Sequence, residues 1–443
     1  MKYAVRSTSL GKIKGIDFEA YDEFRGIRFA TAGRWQYPAI CGAWEGTLDA
    51  TEYGACCYQR RAFEDDAECN PFYHREFREG QTFTYSEDCQ FLNIDVPKDA
   101  ENAPVLVYIH GGSFTGGSAD EGHIDGRVYA ERGIVFVAIN YRLGPYGFCS
   151  HPDLTDKEGR CGNYGLFDQL VAMQWIHAHI GEFGGNPEDV TVMGESAGAM
   201  SVDLLISSPQ MKGLYKNAIM MSGAAIQRSL GKPFPPEKTR AFWESVMDKM
   251  GAETLDELKA VDEKTLYYAW LVAQKDFKMA IRYTLPVYDG KLITPENFNM
   301  KTIPDVPILL GITQTDMAPI AMEIFTKQYA KRCEEHRNKC FVYSFSRNLP
   351  GDTKGAWHAS DLLYAFNTLD RNWRPFGRVD YQISHQMIES IAAFTKTGDP
   401  NCDAVPAWEP GAKMPMHFAE TTRPAPLQTK EFLRNTFADN GAF

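Results

Sequence analysis

The sequence predicts an α/β protein built on a central, mostly parallel twisted sheet wound by helices on both sides. Three observations lead there. Short apolar runs with little alternation recur along the chain, as strands buried on both faces require. Amphipathic stretches separate those runs, so strand and helix alternate. The third is bulk: 443 residues, 44% hydrophobic and 23% charged, can bury a deep core, and no disordered or collagen-like chain has this make-up.

In chain order, the candidate strands are Val105–Ile109, Ile134–Asn140, Val190–Met193, Ala218–Met221, Val306–Ile312 and Phe341–Phe345. Helical periodicity covers Gly165–His179 and Tyr381–Lys396 among the stretches between them. The region Arg228–Tyr283 breaks this rhythm. It is rich in helix formers (Arg240–Met250, Leu255–Ala260, Lys264–Lys275) and offers no strand. It reads as a helical excursion over the sheet, either covering the active site or simply packed there. No repeat or low-complexity linker divides the chain, so residues 1–443 are expected to form a single domain with 228–283 as a helical insertion.

Lys+Arg number 46 against 58 Asp+Glu, a net charge of −12. Phosphate contacts need clustered basic residues, and none appear, so nucleic acid is not an expected partner. The longest apolar runs fall far short of the ~18 residues of a spanning helix, so no membrane partner is expected either. Met1–Leu10 carries Lys2 and Arg6 with no apolar run behind them, and no N-x-S/T sequon occurs. Ten cysteines are too sparse for a disulfide scaffold. The expectation is a cytoplasmic protein with reduced thiols. Nothing in the sequence bears on oligomeric state.

The strongest chemical signal is Gly194-Glu195-Ser196-Ala197-Gly198. Asp189–Met193 reads as a strand running into it, and Ala199–Leu205 as a helix leaving it. G-x-S-x-G between strand and helix is a nucleophile elbow, a tight turn that lifts the serine hydroxyl above the sheet. The helix N-terminus behind it favours the negative charge that develops in acyl transfer. Upstream, strand Val105–Ile109 ends in His110-Gly111-Gly112-Ser113-Phe114, followed by Gly116-Gly117. Such a loop can turn successive N–H groups toward one point, as an oxyanion hole requires. A plain glycine-rich turn or a phosphate cradle would look similar, but the G-K-[ST] ending of the latter is missing.

An elbow serine needs a base and an orienting acid, in the order Ser, Asp/Glu, His for this class. Four histidines lie downstream: His336 on a charged helical face, His385 on the polar side of a helix, His417 on an expected edge strand, and His358. Only His358 follows a strand and a glycine-bearing loop, the setting that presents an imidazole at a strand's carboxyl end. Asp316 follows Val306–Ile312 by Thr313-Gln314-Thr315 and lies at the same edge. Asp305 would sit at the opposite edge. Asp361, in the first turn after His358, is expected to cap that helix or face solvent.

These motifs, together with Phe24–Ala30, Glu87–Ile94, Asn140–Gly144, Gly162–Gln169, Phe183–Pro187 and Phe394–Asn401, resemble the type B carboxylesterases of the alpha/beta-hydrolase superfamily. That group includes bacterial para-nitrobenzyl esterases, cholinesterases and many lipases. The resemblance covers most of the chain. It implies Ser196 as nucleophile, His358 as base, and the N–H groups of Gly112, Ser113 and Ala197 as oxyanion donors. It places Asp316 where the family usually has a glutamate. It further implies ester hydrolysis through an acyl-enzyme, on a small-molecule ester, with no metal or organic cofactor. A non-catalytic cholinesterase-like binding protein and an acyltransferase are the alternatives.

Three features depart from the family pattern. Ser113 stands for a third glycine or alanine. The acid and base are only 42 residues apart, shorter than in many relatives. Relatives from oxidising compartments often bridge the cysteine equivalent to Cys89 to one upstream, here Cys56, Cys57 or Cys69; with no signal sequence, free thiols at Cys57 and Cys89 are expected. Cys333, His336 and Cys340 recur at helical spacing, but charged flanks and the missing fourth ligand argue against a metal site.

Overall fold

The computed structural model describes residues 2–299 and 301–437. Its N-terminal wing is antiparallel: β1 (Lys2–Thr8) pairs with β2 (Gly11–Asp17), β2 with β3 (Tyr21–Arg28), and β3 with β7 (Phe91–Pro97). β4 (Ala30–Thr31) and β5 (Ala39–Ile40) form a separate small ribbon, and β6 (Thr47–Asp49) adds to β2. The heart of the sheet follows, with β8 (Ala103–Ile109), β9 (Val135–Ile139), β10 (Gly185–Glu195), β11 (Asn217–Met221), β12 (Ile308–Thr313), β13 (Cys340–Phe345) and β14 (Met416–Phe418). These run parallel in the spatial order β9-β8-β10-β11-β12-β13-β14; β7 lies antiparallel against β9, and β15 (Arg423–Pro424) against β14.

All six sequence-predicted strands are present, with ends moved by a residue or more. The weak alternation has a direct cause. Along β8, Val105, Val107 and Ile109 enter the core on one face while Leu106 and Tyr108 enter the core on the other. A strand covered by helices on both sides has no solvent face on which to place polar residues. The antiparallel wing was not legible, because β1 is largely exposed and charge-bearing. His417 lies on β14, which is paired on both sides, so the sheet edge is β15 and not the strand carrying this histidine.

The helices also match closely. Tyr164–His179 and Arg378–Thr397 cover the predicted stretches, and the segment between β11 and β12 carries helices Arg240–Met250, Leu255–Ala260 and Glu263–Ala273. Thr254 opens the second of these with a capping box, its hydroxyl accepting from Glu257 N–H. None of the described helices is long and apolar enough to cross a membrane.

β8 and β10 are neighbours, yet β9 intervenes in sequence and lies on the far side of β8. The winding direction therefore reverses between β8 and β10, and the carboxyl ends of two such strands open a crevice that loops can line.

Candidate active site

Ser196 sits at that crevice, between β10 and the helix Ala197–Ile206. Its backbone is strained, with φ 53° and ψ −120°, and its N–H donates to Met221 O of the adjacent strand at 2.8 Å. The elbow tolerates little bulk: a Cβ at Gly198 would lie 2.0 Å from Ile109 O. The second glycine of the motif thus lets the helix approach β8 closely.

His358 Nε2 lies 2.9 Å from Ser196 Oγ, and His358 Nδ1 lies 2.6 Å from Asp316 Oδ1. A carboxylate can only accept, so Nδ1 carries a proton, and in the neutral ring Nε2 accepts from the serine hydroxyl. Asp316 is fixed from both sides. Met317 N–H donates to Oδ1 at 2.8 Å and Thr313 N–H to Oδ2 at 3.3 Å. The loops carrying Asp316 and His358 are themselves joined, since both the N–H and the hydroxyl of Thr315 donate to Ala356 O at 2.9 Å. Forty-two residues of separation thus close to a hydrogen bond. Tyr73 O–H reaches His358 O at 3.4 Å, and the Tyr73 and Phe72 rings pack edge-on to Trp357.

Gly112 and Ser113 sit in the loop after β8 with φ of 105° and 57°. Among the described residues, no protein acceptor takes either N–H. With Ala197 N–H at the start of the helix, they offer donors beside Ser196. The crevice holds a cavity of about 410 Å³ lined by Ser196, His358, Gly112 and Ser113, together with Tyr267 and Met317. Tyr267 comes from the helix Glu263–Ala273 of the excursion.

The electrostatics set the protons. Burial works against the Asp316 carboxylate, but the hydrogen bond and charge of His358 outweigh it and hold the group below its usual range. Burial also opposes a charged His358, yet Glu195, Asp316 and Asp361 together raise the ring to about 9. Glu195 escaped the sequence reading, although it lies inside the elbow motif. It is fully enclosed, its Oε1 is 3.3 Å from His358 Nε2, and burial pushes its carboxyl up to about 8. His110 is driven the other way, to about 4, by burial against the ring of Tyr141.

Asp361 is a correction. It occupies the position before the short helix Leu362–Ala365 but makes no capping hydrogen bond, and it is fully buried. Its Oδ2 accepts from Tyr343 O–H at 2.8 Å, and burial raises its carboxyl to about 6. The helix lies inside the second core layer, so the carboxylate has no route to solvent. The other histidines downstream of Ser196 stay away from it: His336 is exposed beyond a helix end, His385 lies 3.6 Å from Glu389 on the surface, and His417 donates to Ala425 O. Cys333 and Cys340 are buried while His336 is exposed, so the three do not converge. Cys57 and Cys89 are both buried and unbridged, and burial beside Cys57 holds the Cys89 thiol well above its usual range.

The sequence profile of the carboxylesterase family matches residues 2–330 and 320–439. The para-nitrobenzyl esterase of Bacillus subtilis (strain 168) is 29% identical, over 91% of this chain and 92% of its own. The bile salt-activated lipase of Mus musculus is 34% identical, over 96% of this chain and 84% of its own. Among solved structures, a PNB esterase superposes with a TM-score of 0.83 at 25% identity, over 98% of this chain and 99% of that one. A carboxylesterase of Geobacillus stearothermophilus gives a TM-score of 0.79 at 25% identity, over 98% and 99%. The fold is that of the alpha/beta-hydrolases, and the chain belongs to the carboxylesterase family of carboxylic ester hydrolases.

Proposed function

We propose that this protein hydrolyses small carboxylic esters through an acyl-enzyme formed on Ser196. The observation that carries this reading is the chain of contacts at one crevice, Ser196 Oγ to His358 Nε2 at 2.9 Å and His358 Nδ1 to Asp316 Oδ1 at 2.6 Å. Ser196 Oγ attacks the ester carbonyl while His358 takes its proton. Asp316 holds the imidazole in the tautomer that accepts at Nε2 and stabilises the imidazolium. The N–H groups of Gly112, Ser113 and Ala197 receive the charge on the carbonyl oxygen, each worth about 3–4 kcal/mol in comparable sites. The protonated His358 then donates to the departing alcohol. Water, activated by the same ring, attacks the acyl-enzyme and regenerates Ser196. Every step uses side chains and backbone already in the crevice, and none calls for a cofactor.

In this reading residues 1–443 work as one domain, with 228–283 as a helical insertion that contributes Tyr267 to the cavity wall. The acidic net charge of −12 and, among the described residues, the lack of a helix long and apolar enough to cross a membrane fit a diffusible ester substrate rather than nucleic acid, and we place the enzyme in the cytoplasm as part of this reading. The test is labelling by a fluorophosphonate probe, located by peptide mass spectrometry, together with Ser196→Ala. The label is expected on Ser196, and the variant is expected to lose ester turnover while melting like the wild type. Wild-type turnover in Ser196→Ala would refute the serine mechanism.

A further inference from the structure

The loop that carries Gly112 and Ser113 is not self-supporting. Besides φ of 105° at Gly112 and 57° at Ser113, Phe114 stands at 61°. Two consecutive non-glycine residues in the left-handed region cost about 1–3 kcal/mol each. Such a conformation persists only where surrounding contacts over-determine it. Thr115 and Gly116 N–H both donate to Gly112 O at 2.9 Å, which closes the turn locally but does not fix its place over Ser196. From outside, Gly144 N–H donates to Phe114 O at 2.7 Å, and the far end of the loop has a separate hold.

That hold comes from Gln59, fifty-eight residues upstream. Its side-chain amide pairs with both backbone groups of Gly117. Gln59 Nε2 donates to Gly117 O at 3.0 Å, and Gly117 N–H donates to Gln59 Oε1 at 2.9 Å. The two bonds imitate the pairing of one strand with another. Gln59 Nε2 also donates to Cys57 O at 3.1 Å, so the side chain is anchored to its own segment, and only 3% of the residue is exposed. Two residues on, Arg61 Nη2 donates to Ser118 Oγ at 3.1 Å while Nη1 lies 2.9 Å from Glu121 Oε1. Cys57 Sγ in turn accepts Leu143 N–H at 3.2 Å, which ties this segment to the chain beyond β9.

We propose that Gln59 is a positioning residue for the reaction: through the peptide of Gly117 it sets the place of the Gly112 and Ser113 N–H groups above Ser196. It touches no reacting atom. An amide is suited to this task because it donates and accepts in one plane and carries no charge into a buried wall. The inference rests on the oxyanion reading of Gly112 and Ser113. Donors aimed at a developing charge lose their value when displaced by about 1 Å, which is worth on the order of 10²-fold in rate.

The experiment measures kcat and KM of Gln59→Ala and Gln59→Glu on a p-nitrophenyl ester, with inhibition by a trifluoromethyl ketone and by the matching methyl ketone. Gln59→Ala is expected to lower kcat about 10- to 100-fold with KM within about threefold. The trifluoromethyl ketone, which forms a tetrahedral adduct on the serine, should weaken in proportion to kcat/KM, and the methyl ketone much less. Gln59→Glu is nearly isosteric and, assayed at alkaline pH where its buried carboxyl is ionised, turns the donor facing Gly117 O into an acceptor, so it should impair kcat there even if Gln59→Ala folds poorly. A folded Gln59→Glu with wild-type kcat and unchanged trifluoromethyl ketone inhibition would overturn the proposal. So would a loss confined to KM. Fluorophosphonate labelling of the wild type separates the two readings. No label on Ser196 means that the hydrolase mechanism has failed; a labelled Ser196 with unimpaired Gln59 variants means that only the positioning role has.

Discussion

Replacing Asp316 by asparagine isolates the role of one oxygen. In the wild type, Oδ1 accepts from both His358 Nδ1 at 2.6 Å and Met317 N–H at 2.8 Å, while Oδ2 accepts from Thr313 N–H at 3.3 Å. An asparagine has one acceptor oxygen where the carboxylate has two, and its NH₂ must face either Thr313 N–H or the imidazole. If it faces the ring, Nδ1 must accept, the proton moves to Nε2, and Ser196 loses its base. If Asp316 is the orienting acid, its loss is expected to lower kcat by up to about 10⁴-fold, equivalent to about 5.5 kcal/mol of transition-state stabilisation. Even in the favourable orientation the buried negative charge opposite the imidazolium is gone. The control is Asp361→Asn, which keeps an acceptor for Tyr343 O–H and alters a carboxyl already raised to about 6. Its turnover is expected to fall by less than about tenfold, the equivalent of one pKa unit of interaction. Steady-state hydrolysis of a p-nitrophenyl ester, with melting temperatures as a check on folding, compares the two. A crippled Asp361→Asn beside a nearly normal Asp316→Asn would refute the assignment of the acid.

Glu195→Gln tests the coupling of two buried groups. Burial raises Glu195 to about 8, and Glu195 heads the influences that raise His358 to about 9. Removing the carboxylate should shift the rise of kcat/KM with pH toward lower pH, and an unshifted profile would contradict this. The same variant carries a stability signature. A folded carboxyl near 8 against 4.5 unfolded binds its proton more tightly in the native state, so stability falls as pH rises between those values. Thermal melts should show a smaller fall across that window in Glu195→Gln. At the elbow, Gly198→Ala would set a methyl 2.0 Å from Ile109 O, so the helix or β8 must move. A melting temperature lowered by a loss of about 1–3 kcal/mol, the usual scale of overpacking, is expected, and an unchanged one would refute the close approach.

Several parts of this site were legible because chemistry confines them to few residue types in fixed local settings. Ser196 stands between a strand and a helix, and His358 is the one downstream histidine after a strand and a loop. Asp316 was reached by topology: parallel strands all deliver their loops to one edge, so an acid after β12 emerges beside Ser196. Asp361 was misread because its place near a helix start is a local property, whereas its burial under Tyr343 depends on the second core layer. Gln59 gave no signal, since a glutamine between Tyr58 and Arg60 belongs to no periodic pattern or motif.

Local patterns along the chain specify the alternation of buried strands and helices, the elbow, the glycine-rich loop, and the chain order of Ser196, Asp316 and His358, the three residues that meet at the crevice. Each follows from interactions spanning a few consecutive residues, such as side-chain periodicity, turn geometry and residue chemistry. How Thr315 joins Ala356 between the loops of Asp316 and His358, how Glu195 comes to lie 3.3 Å from His358, and which distant side chain pairs with Gly117 at the end of the glycine-rich loop depend on the folded chain as a whole. Those contacts bring together residues far apart in the chain. Their burial and shared electrostatics arise only when the sheet places separate loops at one edge, and no local pattern encodes that meeting.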